Sequence, residues 1–370
     1  MSDVTDQNIL RLCIQKVATG PEYSKDLSFE EARHSMQQIL KGDADPVQTA
    51  IYFIALRMKR ETNEENCGIL QAVKEASTQV TAAVDELVDV CDPYDGYTRS
   101  VPASPFIAPV LAALGVNAVS HGLNAVGPKF GATHYKVLSA AGLNVALTPE
   151  QAAEQVATIG WAYVDQSQFA PALHDLIPLR QRMIKRQVMT TIETMLGPIR
   201  GQQKTHLMGG YVHKAYPPIY AALARHSEFD SAMFIRGVEG GVIPSLQQTG
   251  RLFSYQTLDA DIQQRDLSPK DIGIDANYRA VPLPDDLPEV YAADNIASTV
   301  DSEALARLSA ELGQAAMRGE KGLMYDALVY SAAICLTHLG RYPTMQDSAN
   351  AVRQVLDSGA AWEKLQAAAK

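Results

Sequence analysis

Between residues 8 and 80 the apolar positions recur every three to four residues. From Leu87 onward they gather instead into short runs set between longer amphipathic stretches. Ser28-Phe29-Glu30-Glu31 is a capping box, in which the Ser28 hydroxyl accepts from the backbone three residues on and the Glu31 carboxylate reaches back. It predicts a helix that closes at Gly42, a residue suited to left-handed backbone. Asp45-Pro46 opens a second helix, with Val47, Ala50, Ile51, Ile54, Ala55 and Met58 on its apolar face. Thr62-Asn63-Glu64-Glu65 begins a third. Residues 1–82 therefore read as a small helical-bundle domain.

The later runs predict strands at Leu87–Val90, Asn117–His121, Leu207–Val212 and Ala232–Arg236. Between and after them, helices are predicted over Ala103–Gly115 with a kink at Pro109, Thr133–Ala141, Thr148–Ile159, Ile177–Leu196, Ser302–Arg318, Leu323–Leu339 and Ser348–Lys370. The Pro- and Asp-rich stretch Leu267–Leu287 reads as exposed. Strands alternating with helices imply an α/β domain with a mainly parallel sheet over 83–370, part of 165–196 packing on the helical domain. The first strand ends in Asp92-Pro93-Tyr94-Asp95-Gly96, a turn at the carboxyl end of a parallel strand, where such sheets place ligands.

The 370 residues suffice for two domains, and 46% hydrophobic with 20% charged content is ordinary for a globular chain. A net charge of −10 argues against coating nucleic acid, while leaving room for a local basic surface. Cys13, Cys67, Cys91 and Cys335 lack zinc or disulfide spacing, which predicts reduced thiols. With no leader-like start and no apolar run long enough for a membrane span, a cytoplasmic location is expected and a membrane is not.

The order of segments resembles the anthranilate phosphoribosyltransferase family of glycosyltransferase family 3. Leu27-Ser-Phe-Glu-Glu-Ala32, Gly42, Gln48 and Ala55-Leu-Arg-Met-Lys-Arg-Glu-Thr62 resemble its helical domain. Asp95-Gly96, His121-Gly122, Lys129-Phe130-Gly131, Pro178-Leu179-Arg180 and Leu196-Gly197-Pro198 follow in its order. The resemblance implies a homodimer paired through the helical domain, and displacement of pyrophosphate from phosphoribosyl pyrophosphate by an amine. It assigns His121 and Arg180 to the catalytic side, and Asp95, Gly96, Ser104, Gly122, Lys129 and Gly131 to the phosphorylated substrate. The family's glycine-rich phosphate loop is here Cys91-Asp92-Pro93-Tyr94-Asp95-Gly96, with Cys, Pro and Tyr for three glycines. Its Mg²⁺-binding Asp-Glu pair falls at Val242-Ile243, which offer no oxygen to a hard cation, leaving Glu239 as the nearby carboxylate. Leu123 and Ala170 replace two polar partners of the amine.

About one extra helical turn lies between Arg186 and Gly197, an insertion shared with divergent family members tied to nucleic-acid binding. Residues 178–214 carry Arg180, Arg182, Lys185, Arg186, Arg200, Lys204 and Lys214 against the single acid Glu193. Arg182, Lys185 and Arg186 would share a helix face, and Tyr211 and Tyr216 could stack bases. Two expectations follow. One is a phosphoribosyltransferase-like protein with an altered site, inefficient on anthranilate. The other is a non-catalytic relative binding nucleic acid or another polyanion through Arg182, Lys185, Arg186, Arg200 and Lys204.

Overall fold

The computed structural model describes residues 8–291 and 298–369; Lys370, the last residue of the final predicted helix, lies outside them. Four helices come first: α1 (Ile9–Val17), α2 (Phe29–Leu40), α3 (Pro46–Lys59) and α4 (Asn63–Glu75). Both predicted capping boxes, Ser28/Glu31 and Thr62/Glu65, close with reciprocal hydrogen bonds, and Asp45 caps α3 ahead of Pro46. The apolar face of α3 is a correction. Tyr52, Phe53 and Leu56 are buried with Thr49, whereas Val47, Ile51 and Met58 point to solvent. Large aromatic rings took the core side, where they remove the most area from water.

The α/β domain holds a seven-stranded sheet in the order β4-β3-β2-β6-β7-β8-β9. Its strands are β2 (Glu86–Cys91), β3 (Ala118–Gly122), β4 (Trp161–Asp165), β6 (Lys204–Tyr211), β7 (Ser231–Arg236), β8 (Gly250–Tyr255) and β9 (Gln263–Leu267). The first five pair in parallel, and β8 and β9 add antiparallel at one edge. A separate parallel pair joins β1 (Val80–Thr81) to β5 (Ile199–Arg200). Every predicted strand is present, while β4, β8 and β9 carry no distinctive alternation and fall outside the predicted set.

The helices of this domain are α5 (Ile107–Ala113), α6 (His134–Ala140), α7 (Pro149–Ile159), α8 (Gln166–Phe169), α9 (Pro171–His174), α10 (Ile177–Met183), α11 (Met189–Ile192), α12 (Tyr216–His226), α13 (Ser302–Met317), α14 (Leu323–His338), α15 (Met345–Asp357) and α16 (Ala360–Ala367). Because α5 begins at Ile107, Pro109 falls in its first turn, where a missing N–H costs no internal bond. The predicted 348–370 helix is two, divided at Gly359 in left-handed backbone.

Successive side chains of β2 alternate between two cores. Val88 and Val90 face the layer of α5, α13 and α14, while Leu87 and Cys91 face the N-terminal helices and α12. α10 lies against α3 and α11 against α4. The predicted long helix over Ile177–Leu196 is broken. α10 stops at Ile184, which has φ 64°, and Lys185 and Arg186 lie beyond it in a turn. Arg182, Lys185 and Arg186 therefore share no helix face.

Candidate functional site

The turn after β2 carries the site. In the sheet register Cys91 stands beside His121 on one side and Gly209 on the other. Gly96 and Gly131 let two backbones touch: Gly131 N donates to Asp95 O at 2.9 Å, and Tyr97 and Ala132 exchange hydrogen bonds. Gly96 has φ 71°, and a Cβ there would lie 2.7 Å from Ala132 O; one on Gly131 would lie 2.4 Å from Tyr97 O. These two glycines thus serve loop-to-loop contact.

Asp95, Gly96, Lys129 and Gly131 come together as expected, in a network of their own. Lys129 Nζ donates to Gly96 O at 2.8 Å and lies 3.6 Å from Asp95 Oδ1. Arg186, expected on a polyanion surface, is half exposed and pairs with Asp95, donating to Oδ2 from Nη2 at 2.6 Å and from Nε at 3.1 Å. Ser104, expected to face substrate, donates to Asp92 Oδ2 at 2.7 Å and is buried. His134 Nε2 also reaches that oxygen at 3.2 Å, and Val242 N donates to Oδ1 at 3.0 Å. Burial alone would raise the Asp92 carboxyl, but the His134, Ser104 and Tyr97 donors outweigh it and hold it below the usual range.

The amine side is closed. His121 Nε2 donates to Asp89 Oδ1 at 2.9 Å, and the Tyr94 hydroxyl reaches its Nδ1. All three side chains are buried, and Gly122 follows in the same buried strand. Burial drives the Tyr94 hydroxyl well above its ordinary pKa, so it stays a neutral donor. Its ring packs with Leu123, Val126 and Ile177. Arg180 is buried and bidentate on Glu193, Nη1–Oε2 2.7 Å and Nη2–Oε1 2.8 Å. It is neither exposed on a helix nor open to a ligand.

The remaining basic residues scatter. Arg182 and Lys185 are exposed. Arg200 lies with its guanidinium over Phe229 at 4.1 Å and bonds Ser227 O, burial lowering its pKa. Lys204 starts β6, at the strand end opposite the site. Tyr211 is buried, its ring at 72° to that of Phe253, so it stands on no exposed surface. These positions make no continuous surface.

Glu239 does not fit a Mg²⁺ ligand. Its Oε1 accepts from Arg99 N at 2.9 Å and Ser100 Oγ at 3.0 Å, and its Oε2 from Thr98 N at 3.2 Å, with Lys129 Nζ 3.4 Å away. A carboxylate surrounded by donors has no lone pairs turned toward a cation. Val242 and Ile243 are buried and apolar. The donor set at this position therefore suits an anion and not a hard cation.

Two clefts open at this end of the sheet. An inner one of about 150 Å³ lies among Asp95, Arg186, Thr190, Tyr211, Tyr220 and Glu239. An outer groove of about 850 Å³ is lined by Arg99, Lys129, Arg186, Arg236 and Arg279, with Glu239 on its wall. The residues that sequence reasoning does not bring to the site are Asp89, Tyr94 and Glu193 as partners, and the Thr98–Ser100 donors. Asp89 inside an apolar strand and Glu193 as the sole acid among cations were the available signals.

A helical bundle is thus followed by a mainly parallel sheet, with the candidate site at the carboxyl ends of the strands. Residues 11–77 match the description "Glycosyl transferase family, helical bundle domain" and residues 87–362 match "Glycosyl transferase family, a/b domain", so the chain belongs to that family, as an anthranilate phosphoribosyltransferase-like member. It is 28% identical to the anthranilate phosphoribosyltransferase of Desulfotalea psychrophila, over 96% of this chain and 95% of that one. It is 27% identical to that of Petrotoga mobilis, over 95% and 94%. The fold is that of the Thermus thermophilus anthranilate phosphoribosyltransferase, with TM-score 0.72, 20% identity and 98% of each chain covered. The Saccharomyces cerevisiae enzyme in complex with phosphoribosyl pyrophosphate and Mg superposes with TM-score 0.72 at 16% identity, covering 97% of this chain and 96% of that one. Among the described residues, no helix is long and apolar enough to cross a membrane.

Proposed function

We propose that this chain is a phosphoribosyltransferase-like protein whose site takes a phosphorylated small molecule, of the phosphoribosyl pyrophosphate type, and does not use anthranilate. The observation that carries this reading is the closed amine side: Glu193 neutralises Arg180, and the Tyr94 ring packs on Leu123, Val126 and Ile177. A carboxylate such as anthranilate needs a free cation and an open apolar slot. Removing Arg180 from Glu193 would strand a buried charge at a cost of several kcal/mol. The phosphate side keeps Lys129 and Arg186 at the clefts, and phosphorylated relatives of the family's substrate fit that charge. The test is anthranilate consumption, followed by its fluorescence, with phosphoribosyl pyrophosphate and Mg²⁺. No loss above background is expected; turnover comparable with a bona fide anthranilate enzyme overturns the reading.

A second reading rests on the outer groove. Five cations facing one carboxylate along about 850 Å³ suit an extended polyanion such as single-stranded nucleic acid. This moves the expected surface from the 180–214 segment to Arg99, Lys129, Arg186, Arg236 and Arg279. Binding of a labelled oligonucleotide that weakens steeply with salt and is lost in Arg236→Glu supports it; binding indifferent to both contradicts it. The four free thiols fit a reducing compartment such as the cytoplasm.

A further inference from the structure

Glu239 occupies a setting built for something else. Its two carboxylate oxygens meet two backbone N–H groups, one hydroxyl and one ammonium: Thr98 N, Arg99 N, Ser100 Oγ and Lys129 Nζ. Successive amides, a hydroxyl and a lysine converging on one point are what a phosphoryl group binds to. The residue that brings the carboxylate there sits at φ 54°, in left-handed backbone that non-glycine side chains rarely adopt. It is followed by Gly240 and Gly241 in a turn held by backbone hydrogen bonds, Val238 N to Ile243 O at 2.8 Å and Gly241 N to Val238 O at 3.1 Å, which leaves movement to the Glu239 side chain. The carboxylate also stands on the boundary between the inner cleft and the outer groove, lining both. Its side chain is only 7% exposed.

We propose that Thr98, Arg99, Ser100 and Lys129 form an oxyanion cradle for the pyrophosphate of a small-molecule ligand, and that Glu239 is its resident stand-in. The carboxylate satisfies the four donors in the free protein and leaves when a phosphoryl group takes them. Withdrawal frees a position that borders both clefts, so a ligand with its phosphates in the cradle can extend into either. Asp95, 3.6 Å from Lys129, stays paired with Arg186 and supplies the opposing charge that keeps Lys129 placed when the cradle changes occupant. The proposal rests on the phosphorylated-ligand reading above, and what it adds is the resident competitor.

The test is calorimetric titration of inorganic pyrophosphate into the full chain and into Glu239→Ala and Glu239→Gln. Wild type should bind weakly and Glu239→Ala at least tenfold more tightly, with Glu239→Gln between them. Ser100→Ala in the Glu239→Ala background should give back part of the gain. Equal affinity for pyrophosphate in wild type and Glu239→Ala overturns the cradle and leaves the phosphate reading standing. No binding by any of the three overturns both. Since Glu239 ties two loops together and its loss could unfold the turn, a second measurement uses the wild-type chain. On saturation with pyrophosphate, the amide resonances of Thr98 and Arg99 should move. If pyrophosphate binds while those amides stay fixed, the ligand sits elsewhere and the inference fails. A tighter single-stranded oligonucleotide in Glu239→Ala, without a gain for pyrophosphate, also overturns it.

Discussion

Arg180 donates two hydrogen bonds to the Glu193 carboxylate, at 2.7 and 2.8 Å, and neither side chain retains more than 1% of its surface in water. Gln166 Nε2 adds a third contact to Glu193 at 3.2 Å. Glu193→Ala would leave the guanidinium buried and unpaired. The expected loss is about 3–5 kcal/mol by urea denaturation, the scale for breaking one half of a buried ion pair. A loss under about 1 kcal/mol would mean that Arg180 finds water or another partner, and the amine side would then be open.

Arg186 makes the contrasting pair. It holds Asp95 through two donors, yet 40% of its side chain remains exposed. Asp95 is buried but keeps Lys129 at 3.6 Å when Arg186 is removed, so Arg186→Ala should cost no more than about 1–2 kcal/mol, well below the loss for Glu193→Ala. Its effect should fall on ligand binding, with pyrophosphate affinity reduced about tenfold. Unchanged affinity would remove Arg186 from the phosphate side.

Stability should depend on pH through a buried histidine chain away from the site. Ser231 Oγ lies 2.9 Å from His338 Nε2 and 2.7 Å from His206 Nδ1, and Gln256 Nε2 is 3.2 Å from His338 Nδ1. With Gln256 donating to Nδ1, the neutral His338 ring carries its proton on Nε2, and a second proton would meet the amide head on. Burial, with His206 and Arg265 adding to it, pushes His338 down to about 4 from 6.5, and burial lowers His206 in the same direction. Because the folded pKa lies below the unfolded one, the contribution is complete above pH 6.5 and is lost as pH falls toward 4. Between pH 7 and pH 5 the loss from His338 is about 2 kcal/mol. In His338→Gln that slope should be shallower; an unchanged slope would place the titrating group elsewhere.

The outward face of α3 bears on assembly. Val47, Ile51, Ile54 and Met58 follow one stripe, Met58 with 78% of its surface exposed, and Leu12 of α1 is exposed as well. The homodimer that the family resemblance implies is proposed to bury this stripe. Light scattering should give twice the chain mass for wild type and the single-chain mass for Met58→Glu with unchanged helix content. A monomeric wild type would contradict it.

The fold was legible because its signals are local. Capping boxes at Ser28 and Thr62 and apolar runs at Leu87 and Ala232 each state their own element, and segment order supplies the topology. The site was half legible. Asp95, Gly96, Lys129 and Gly131 do converge, since a turn and the loop that crosses it are set by glycines. What failed was pairing. Nothing in the spacing of Arg180 and Glu193, or of Arg186 and Asp95, announces that they meet, because ion pairs form across the chain wherever burial leaves a charge unmatched. The helix face expected for Arg182, Lys185 and Arg186 failed for a backbone reason, the left-handed Ile184.

The most direct measurement of the central claim is calorimetry of the full chain with phosphoribosyl pyrophosphate and, separately, with anthranilate. Saturable heat with the first and none with millimolar anthranilate, alone or after the first has bound, is the predicted result. Saturable anthranilate binding would contradict the account, because it would require Arg180 to leave Glu193 and the Tyr94 slot to open.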